Sequence, residues 1–124
     1  MREILFRGKR IDNGEWVEGF YNRTWLTNGE VITEIREFER PHHMQDFIEV
    51  DPSTVGQYTG LTGKNGKRIF EGDLLVLATS RPHEVKFAAG SFYMEGTAIT
   101  IHYAIKFTVV GNRWDNPELL EVDE

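Results

Sequence analysis

The chain contains no cysteine. That excludes disulfides, thiol catalysis and Cys-based zinc sites in one step, and it fits a reducing cytosol. Long apolar runs are missing as well. None approaches the roughly 18 residues that a membrane-crossing helix needs, so no membrane partner is expected. The N-terminus, MREILFRGKR, alternates charge and hydrophobe and lacks the apolar core of a signal peptide. The expected location is therefore intracellular. Excess positive charge is also absent: the net charge is −6, and the last ten residues, DNPELLEVDE, hold five acids and no base. Nucleic-acid binders carry the opposite balance, because neutralising phosphates and releasing counterions drives their binding. A helical stripe of useful length is the last absence. At 124 residues the chain is one ordinary domain, long enough to fold without staples.

What the sequence does carry is a period of two. In EILFR, Ile4 and Phe6 share one face and Leu5 and Arg7 the other. EWVEGFY and VITEIREF alternate in the same way, and TAITIHYAIKFTVV, residues 97–110, is the longest such run. β-Branched and aromatic residues fill these segments, as a pleated, half-buried surface favours. Asn13-Gly14, Asn28-Gly29 and Asn65-Gly66 separate them. Asn-Gly is a strong hairpin signal, because both central positions of a type I′ turn need positive φ. Asp51-Pro52 and Asn116-Pro117 each place an N-cap residue before a proline, which predicts two short helical turns. The charged segment REFERPHHMQD, residues 36–46, reads as a long loop. The expected fold is all-β with seven to nine strands and one or two helical turns: a small antiparallel barrel, closed or partly open, with SH3-like elements, or else a sandwich.

Chemistry is harder to find. His42, His43 and Asp46 offer two imidazoles and a carboxylate, but adjacent side chains in a strand point apart. His83, Glu84 and His102 have no metal-ligand spacing around them, so no metal site is expected. Ser53, Ser80 and Ser91 lie in no nucleophile elbow. Glu71 and Asp73 flank Gly72 and would share a face in a strand, an arrangement common at a strand's start. No catalytic constellation and no cofactor site emerges, and the chain is expected not to be an enzyme. The aromatic residues Phe20, Tyr21, Trp25, Phe92, Tyr93 and Tyr103 suit a core better than a base-stacking platform, because a platform sits in a basic groove. Two basic clusters remain as weak candidates for nucleic-acid contact: Arg7, Lys9 and Arg10, and then Lys64, Lys67 and Arg68.

The segment TVGQYTGLTGKNGKRIFEGDLLVL, residues 54–77, poses the sharpest choice. Its glycines invite a phosphate-cradling reading. A Walker loop, however, needs Ser or Thr after the lysine and a helix behind it. Here Asn65 follows Lys64, and RIFEGDLLVL reads as strand. The glycines are therefore expected to be turn devices between strands.

Together, VDPSTVGQYTGLTGKNGKRIFEGDLLVL, the opening MREILFRGKRIDNGEWVEGFY and the close VVGNRWDNPELLE resemble the YopX family of phage and prophage proteins. The likeness is in order and spans essentially the whole chain, as one YopX-like domain over 1–124. Gly63 is a departure, since the family often has Asp before Lys-Asn-Gly. The resemblance implies an all-β fold, a bacterial cytoplasmic setting, and a homo-oligomer or a phage or host protein as partner. It carries no catalytic residues over, because the family's biochemical function is not established.

Overall fold

The computed structural model describes residues 4–37, 47–78 and 80–121. Within it the chain divides into two compact units, Met1–Gln57 and Tyr58–Glu124. The His42-His43-Asp46 group, and the part of the expected loop from residue 38 to 46, lie outside the described residues.

The first unit is an antiparallel meander of β1 (Phe6–Lys9), β2 (Trp16–Trp25), β3 (Val31–Glu37) and β4 (Phe47–Glu49). A 3-10 turn at Pro52–Thr54 follows, and β5 (Gly56–Thr62) returns along the free side of β1. Asp51 caps the turn as its sequence position predicts: its Oδ1 accepts from the Ser53 N–H at 3.0 Å. Paired residues share a face in such a ladder. Val17, Ile35 and Val50 thereby meet in the core, with Phe6, Ile48 and Val55 packed around them.

The sheets are antiparallel as expected, but neither closes into a barrel. The hydrogen-bonded order in this unit is β4-β3-β2-β1-β5, and in the second unit β10 (Thr108–Asn112), β7 (Asp73–Val76), β8 (His83–Ala88), β9 (Ser91–Met94), with no pairing of outer strands among the described residues. The nearest approach to closure is one isolated bridge, Arg10 with Val50, flanked by bonds from Asp51 N to Lys9 O (2.8 Å) and Ile11 N to Glu49 O (3.2 Å). The reason lies in the sequence. β4 is three residues long, and the chain reaches Pro52 directly afterwards. Proline lacks the N–H that another rung would need.

In the second unit the end of β5 pairs with β6 (Arg68–Phe70). β7 (Asp73–Val76), β8 (His83–Ala88), β9 (Ser91–Met94) and β10 (Thr108–Asn112) form the other sheet. Ile69, Leu75, Val85, Met94, Ala104, Phe107 and Val109 make its core. The described residues thus hold ten strands, more than the seven to nine expected, and are predominantly antiparallel β as the periodicity predicts.

The run 97–110 departs from that prediction. Ile101–Lys106 is a 3-10 turn, and only Thr108 onward is strand. The segment fits two periods. Read in twos, it aligns Ile99, Ile101, Tyr103, Ile105, Phe107 and Val109, of which the structure leaves Ile99, Tyr103 and Ile105 exposed. Read in threes, it aligns Ile101, Ala104 and Phe107, and the last two are fully buried. The 3-10 repeat of three residues turns Ala104 into the core together with Phe107, with Ile101 packed against them.

Turn chemistry differs in detail too. Asn28-Gly29 and Asn65-Gly66 are not type I′ turns, since positive φ occurs at the glycines (91° and 82°) and not at the asparagines. Leu26 and Gly63 each accept from the glycine three residues on and donate to the carbonyl four residues on. That is a type I turn closed by a glycine bulge. The type I′ pattern sits instead at Ala89-Gly90, between β8 and β9, with φ of 51° and 83°. At the second proline signal, Pro117–Leu120 is a 3-10 turn as predicted. Asn116 does not cap it, however, and accepts from the Asn112 N–H at 3.1 Å instead.

Candidate interaction surface

β2 outruns β1. Its last pair with β1 is Gly19 with Phe6, and from Gly19 to Trp25 it pairs with β3. The tip of this β2–β3 arm places Tyr21, Arg23 and Trp25 on one face beside Ile35, Thr33 and Val31. At the inner end that face is core, with Ile35 fully buried. At the outer end it is open: Trp25 is 67% exposed, and Tyr21, Val31 and the adjoining Leu26 are also exposed. Phe6 supports Tyr21 with ring centroids 5.2 Å apart, and the Arg23 guanidinium lies 5.5 Å from the Trp25 ring. The opposite face is polar at the tip. Glu34 Oε1 accepts from Thr24 Oγ1 at 2.9 Å and from Asn22 Nδ2 at 3.3 Å. Farther in, Arg36 lies between the exposed rings of Phe20 (5.5 Å) and Phe47 (5.8 Å).

An exposed tryptophan beside a valine and a leucine on a strand pair is unusual on a soluble surface, where large apolar groups are normally scattered. The sequence signal was present: the alternation of EWVEGFY continues through Arg23 and Trp25. What one strand cannot reveal is that β1 begins only at Phe6, opposite Gly19, so that among the described residues no strand pairs with the rest of β2 on that side.

The basic candidates are placed less favourably. Arg7 is buried, with its guanidinium 4.6 Å from the Trp16 ring, and Lys9 lies over the same ring at 5.5 Å. Arg10 is held in a two-pronged pair with Asp12, at 2.9 and 2.7 Å. That hydrogen bond and charge raise the Arg10 pKa and lower that of Asp12. Lys86 is raised in the same way by its bond to Glu95. These shifts come from exposed ion pairs and mark no buried reactive group. Of the second cluster, Lys64 and Lys67 are exposed at a hairpin tip, while Arg68 is half-buried at the start of β6.

The glycine-rich loop resolves against phosphate. Its amides are committed to protein carbonyls: Gly63 N to Lys67 O (2.8 Å), Lys64 N to Phe107 O (2.7 Å) and Gly66 N to Gly63 O (3.0 Å). A phosphate cradle needs such N–H groups pointing at the ligand. Asn65 ties the loop down further. Its Nδ2 donates to Val109 O at 3.0 Å, and its Oδ1 accepts from Val109 N at 3.4 Å, so the side chain extends the β10 edge like one more peptide unit. Nothing in the sequence pointed to this contact across 44 residues. Gly72 has φ of 92°, and a Cβ there would come 2.3 Å from the Trp114 ring. The turn breaks the expected sharing of a face by Glu71 and Asp73. Asp73 is buried, accepting from Phe70 N at 2.7 Å, whereas Glu71 is half-buried outside the strand.

The remaining candidates scatter. The core placement expected for the six aromatic residues is not met: Phe20, Tyr21, Trp25, Tyr93 and Tyr103 are exposed, and Phe92 alone packs against a core, that of the second unit. Phe20 and Tyr21 point to opposite faces of β2, so the six make no single platform either. His102 is exposed, and the described residues contain no group of three or more His, Cys, Asp or Glu able to hold a metal. An open cleft of about 520 Å³ in the second unit is lined by Arg81, His83, Glu95, Leu119, Leu120 and Glu121. His83 Nδ1 faces Glu95 O at 2.9 Å. A carbonyl only accepts, so this nitrogen carries the proton. No helix among the described residues is long and apolar enough to cross a membrane.

Three comparisons set the whole chain against known proteins. The model of the YopX protein family matches residues 5–121. The crystal structure of protein EF1440 from Enterococcus faecalis is similar, with a TM-score of 0.61 and 26% sequence identity over 98% of this chain and 100% of that one. No curated protein matches.

Proposed function

This chain belongs to the YopX family, and we propose that it is a phage- or prophage-encoded accessory protein working as a non-enzymatic interaction or assembly module in the bacterial host cytoplasm. Its partner is a second copy of the chain, and the contact surface is the tip of the β2–β3 arm. The observation that carries this reading is the exposed apolar face of Trp25, Val31, Leu26 and Tyr21. Burying it would contribute on the order of 25 cal/mol per Å², concentrated in a tryptophan and a tyrosine, the residue types that anchor interfaces. The arm's charges, Arg23 with Glu30 and Glu34, are of both signs. They offer no uniform field to a polyanion and suit a partner with the same mixture. The strand order of the first unit, a meander broken by a 3-10 turn before β5 returns to β1, supports an SH3-like reading of that unit, a class whose members use exposed aromatic residues for binding.

The alternative is a nucleic-acid-binding module on the N-terminal strand and the Lys64–Arg68 hairpin. Its support is the exposure of Lys64 and Lys67. The burial of Arg7 and the pairing of Arg10 weigh against it. Size-exclusion chromatography with light scattering decides the first reading. An assembly at micromolar concentration that Trp25→Ser dissociates supports it, and a monomeric wild type refutes it. Salt-dependent binding of oligonucleotides, lost in a Lys64→Glu, Lys67→Glu variant, would favour the alternative.

A further inference from the structure

Three asparagine-glycine steps close three hairpins, and their side chains do different things. At an Asn-Gly step the glycine amide nitrogen can attack the asparagine Cγ. The C–N bond to the side-chain amide breaks, ammonia leaves with the glycine proton, and a five-membered succinimide remains. Water then opens the ring at either carbonyl, giving aspartate or isoaspartate. Nothing is oxidised or reduced, and water is the only co-reactant. The step is intramolecular, so its rate depends on how close the side chain is held to the next peptide bond and on what stabilises the developing oxyanion.

Asn28 meets both requirements. Its Oδ1 accepts from the Glu30 N–H at 3.0 Å. That bond folds the side chain back over the Asn28-Gly29 peptide, bringing Cγ toward the attacking nitrogen. The same N–H is then in place for the oxyanion that forms on Oδ1. Asn13 repeats the arrangement, with Oδ1 accepting from the Glu15 N–H at 2.9 Å. Both residues are exposed at hairpin tips. Asn65 is the counter-case. Its side chain is turned to β10, with Nδ2 donating to Val109 O and Oδ1 accepting from Val109 N. The leaving amide is held, and Cγ is drawn away from Gly66. The attacking nitrogen does not distinguish the three sites, because Gly14, Gly29 and Gly66 all donate to a carbonyl at 2.9 to 3.0 Å.

We propose that Asn13 and Asn28 are sites of spontaneous conversion to aspartate and isoaspartate in the folded protein, and that Asn65 is protected by its bonds to β10. Each conversion adds a negative charge to a chain that already carries −6. At Asn28 the new charge, or the extra backbone carbon of isoaspartate, falls three residues from Trp25.

Peptide mapping by mass spectrometry tests this. The intact chain is incubated at mildly alkaline pH, and the amide-to-acid mass gain is followed at each site, with isoaspartate identified by its separate elution. Three synthetic peptides spanning the same steps serve as unfolded references. The expected result is that Asn28 and Asn13 convert several-fold faster than Asn65 in the folded chain, while the three peptides convert at similar rates. An Asn65 rate equal to or above that of Asn28 in the folded chain overturns the proposal. So does retention of all three amides while the peptides convert. A Val109→Pro variant removes the N–H that Asn65 Oδ1 accepts from, and where it folds it raises the Asn65 rate alone. Where it does not fold, the comparison of folded chain with peptides stands by itself.

Discussion

Replacing Asn65 with alanine tests whether the Gly63–Gly66 hairpin is a structural clasp. The wild-type side chain makes two bonds to Val109, at 3.0 and 3.4 Å, and Val109 lies in the second unit's core. Truncation leaves a carbonyl and an N–H of a buried residue without those partners. Leaving such groups unpaired costs about 1–3 kcal/mol, and the longer of the two bonds is near the limit of useful geometry. We therefore expect Asn65→Ala to destabilise the protein by about 2 kcal/mol, which lowers Tm by roughly 6–10 °C for a chain of this size. Asn28→Ala is the matched control. It has the same turn geometry, but its side chain bonds only to Glu30 N within its own exposed loop. Its cost should stay near ~0.5 kcal/mol. Urea unfolding followed by circular dichroism gives both numbers, with the slope confirming that the unfolded state has not changed. Equal costs for the two substitutions would show that the clasp to β10 contributes nothing, and the structural account of the glycine-rich block would fail.

Three further perturbations probe other joints of the fold. Gly72→Ala must place a Cβ against the Trp114 ring at a φ of 92°, so it should cost about 2–4 kcal/mol in thermal or chemical unfolding; a neutral result would refute the close packing. Ala89→Gly relieves an alanine held at φ 51° in the β8–β9 turn and should stabilise by about 0.5–1 kcal/mol, whereas a loss of stability would contradict that backbone. Asp12 should titrate below its ordinary 3.8 in an NMR pH titration, because the folded state favours its charged form beside Arg10. The folded pKa is depressed, so the pair's contribution is present above pH 3.8 and disappears as pH falls through the folded value; an Arg10→Gln variant should return the midpoint to the ordinary range.

Much of the architecture was legible in the sequence because a sheet's two faces impose a period of two. The alternation in EILFR, EWVEGFY and VITEIREF marked β1, β2 and β3, and Asp51-Pro52 announced its 3-10 turn. The misreadings have physical causes. Ile101–Lys106 satisfies a period of two and a period of three together, and only the packing of Ala104 and Phe107 chooses between them. Closure into a barrel depends on pairing between distant strands, which Pro52 interrupts after β4. The surface was legible only in part. Trp25 was visible as an aromatic residue in an alternating strand, but its exposure follows from where β1 begins. The Asn65–Val109 contact left no mark in the sequence, since any Asn-Gly step reads as a turn.

The central claim, that the arm tip joins copies of this chain, is tested most directly by photo-cross-linking from position 25. A benzophenone amino acid in place of Trp25 keeps the aromatic bulk and reacts with whatever lies against it. The account predicts a covalent product of two chains, formed at micromolar concentration and suppressed by Val31→Glu on the neighbouring strand. Illumination that yields only uncross-linked monomer, or a cross-linked product that Val31→Glu leaves unchanged, would contradict it.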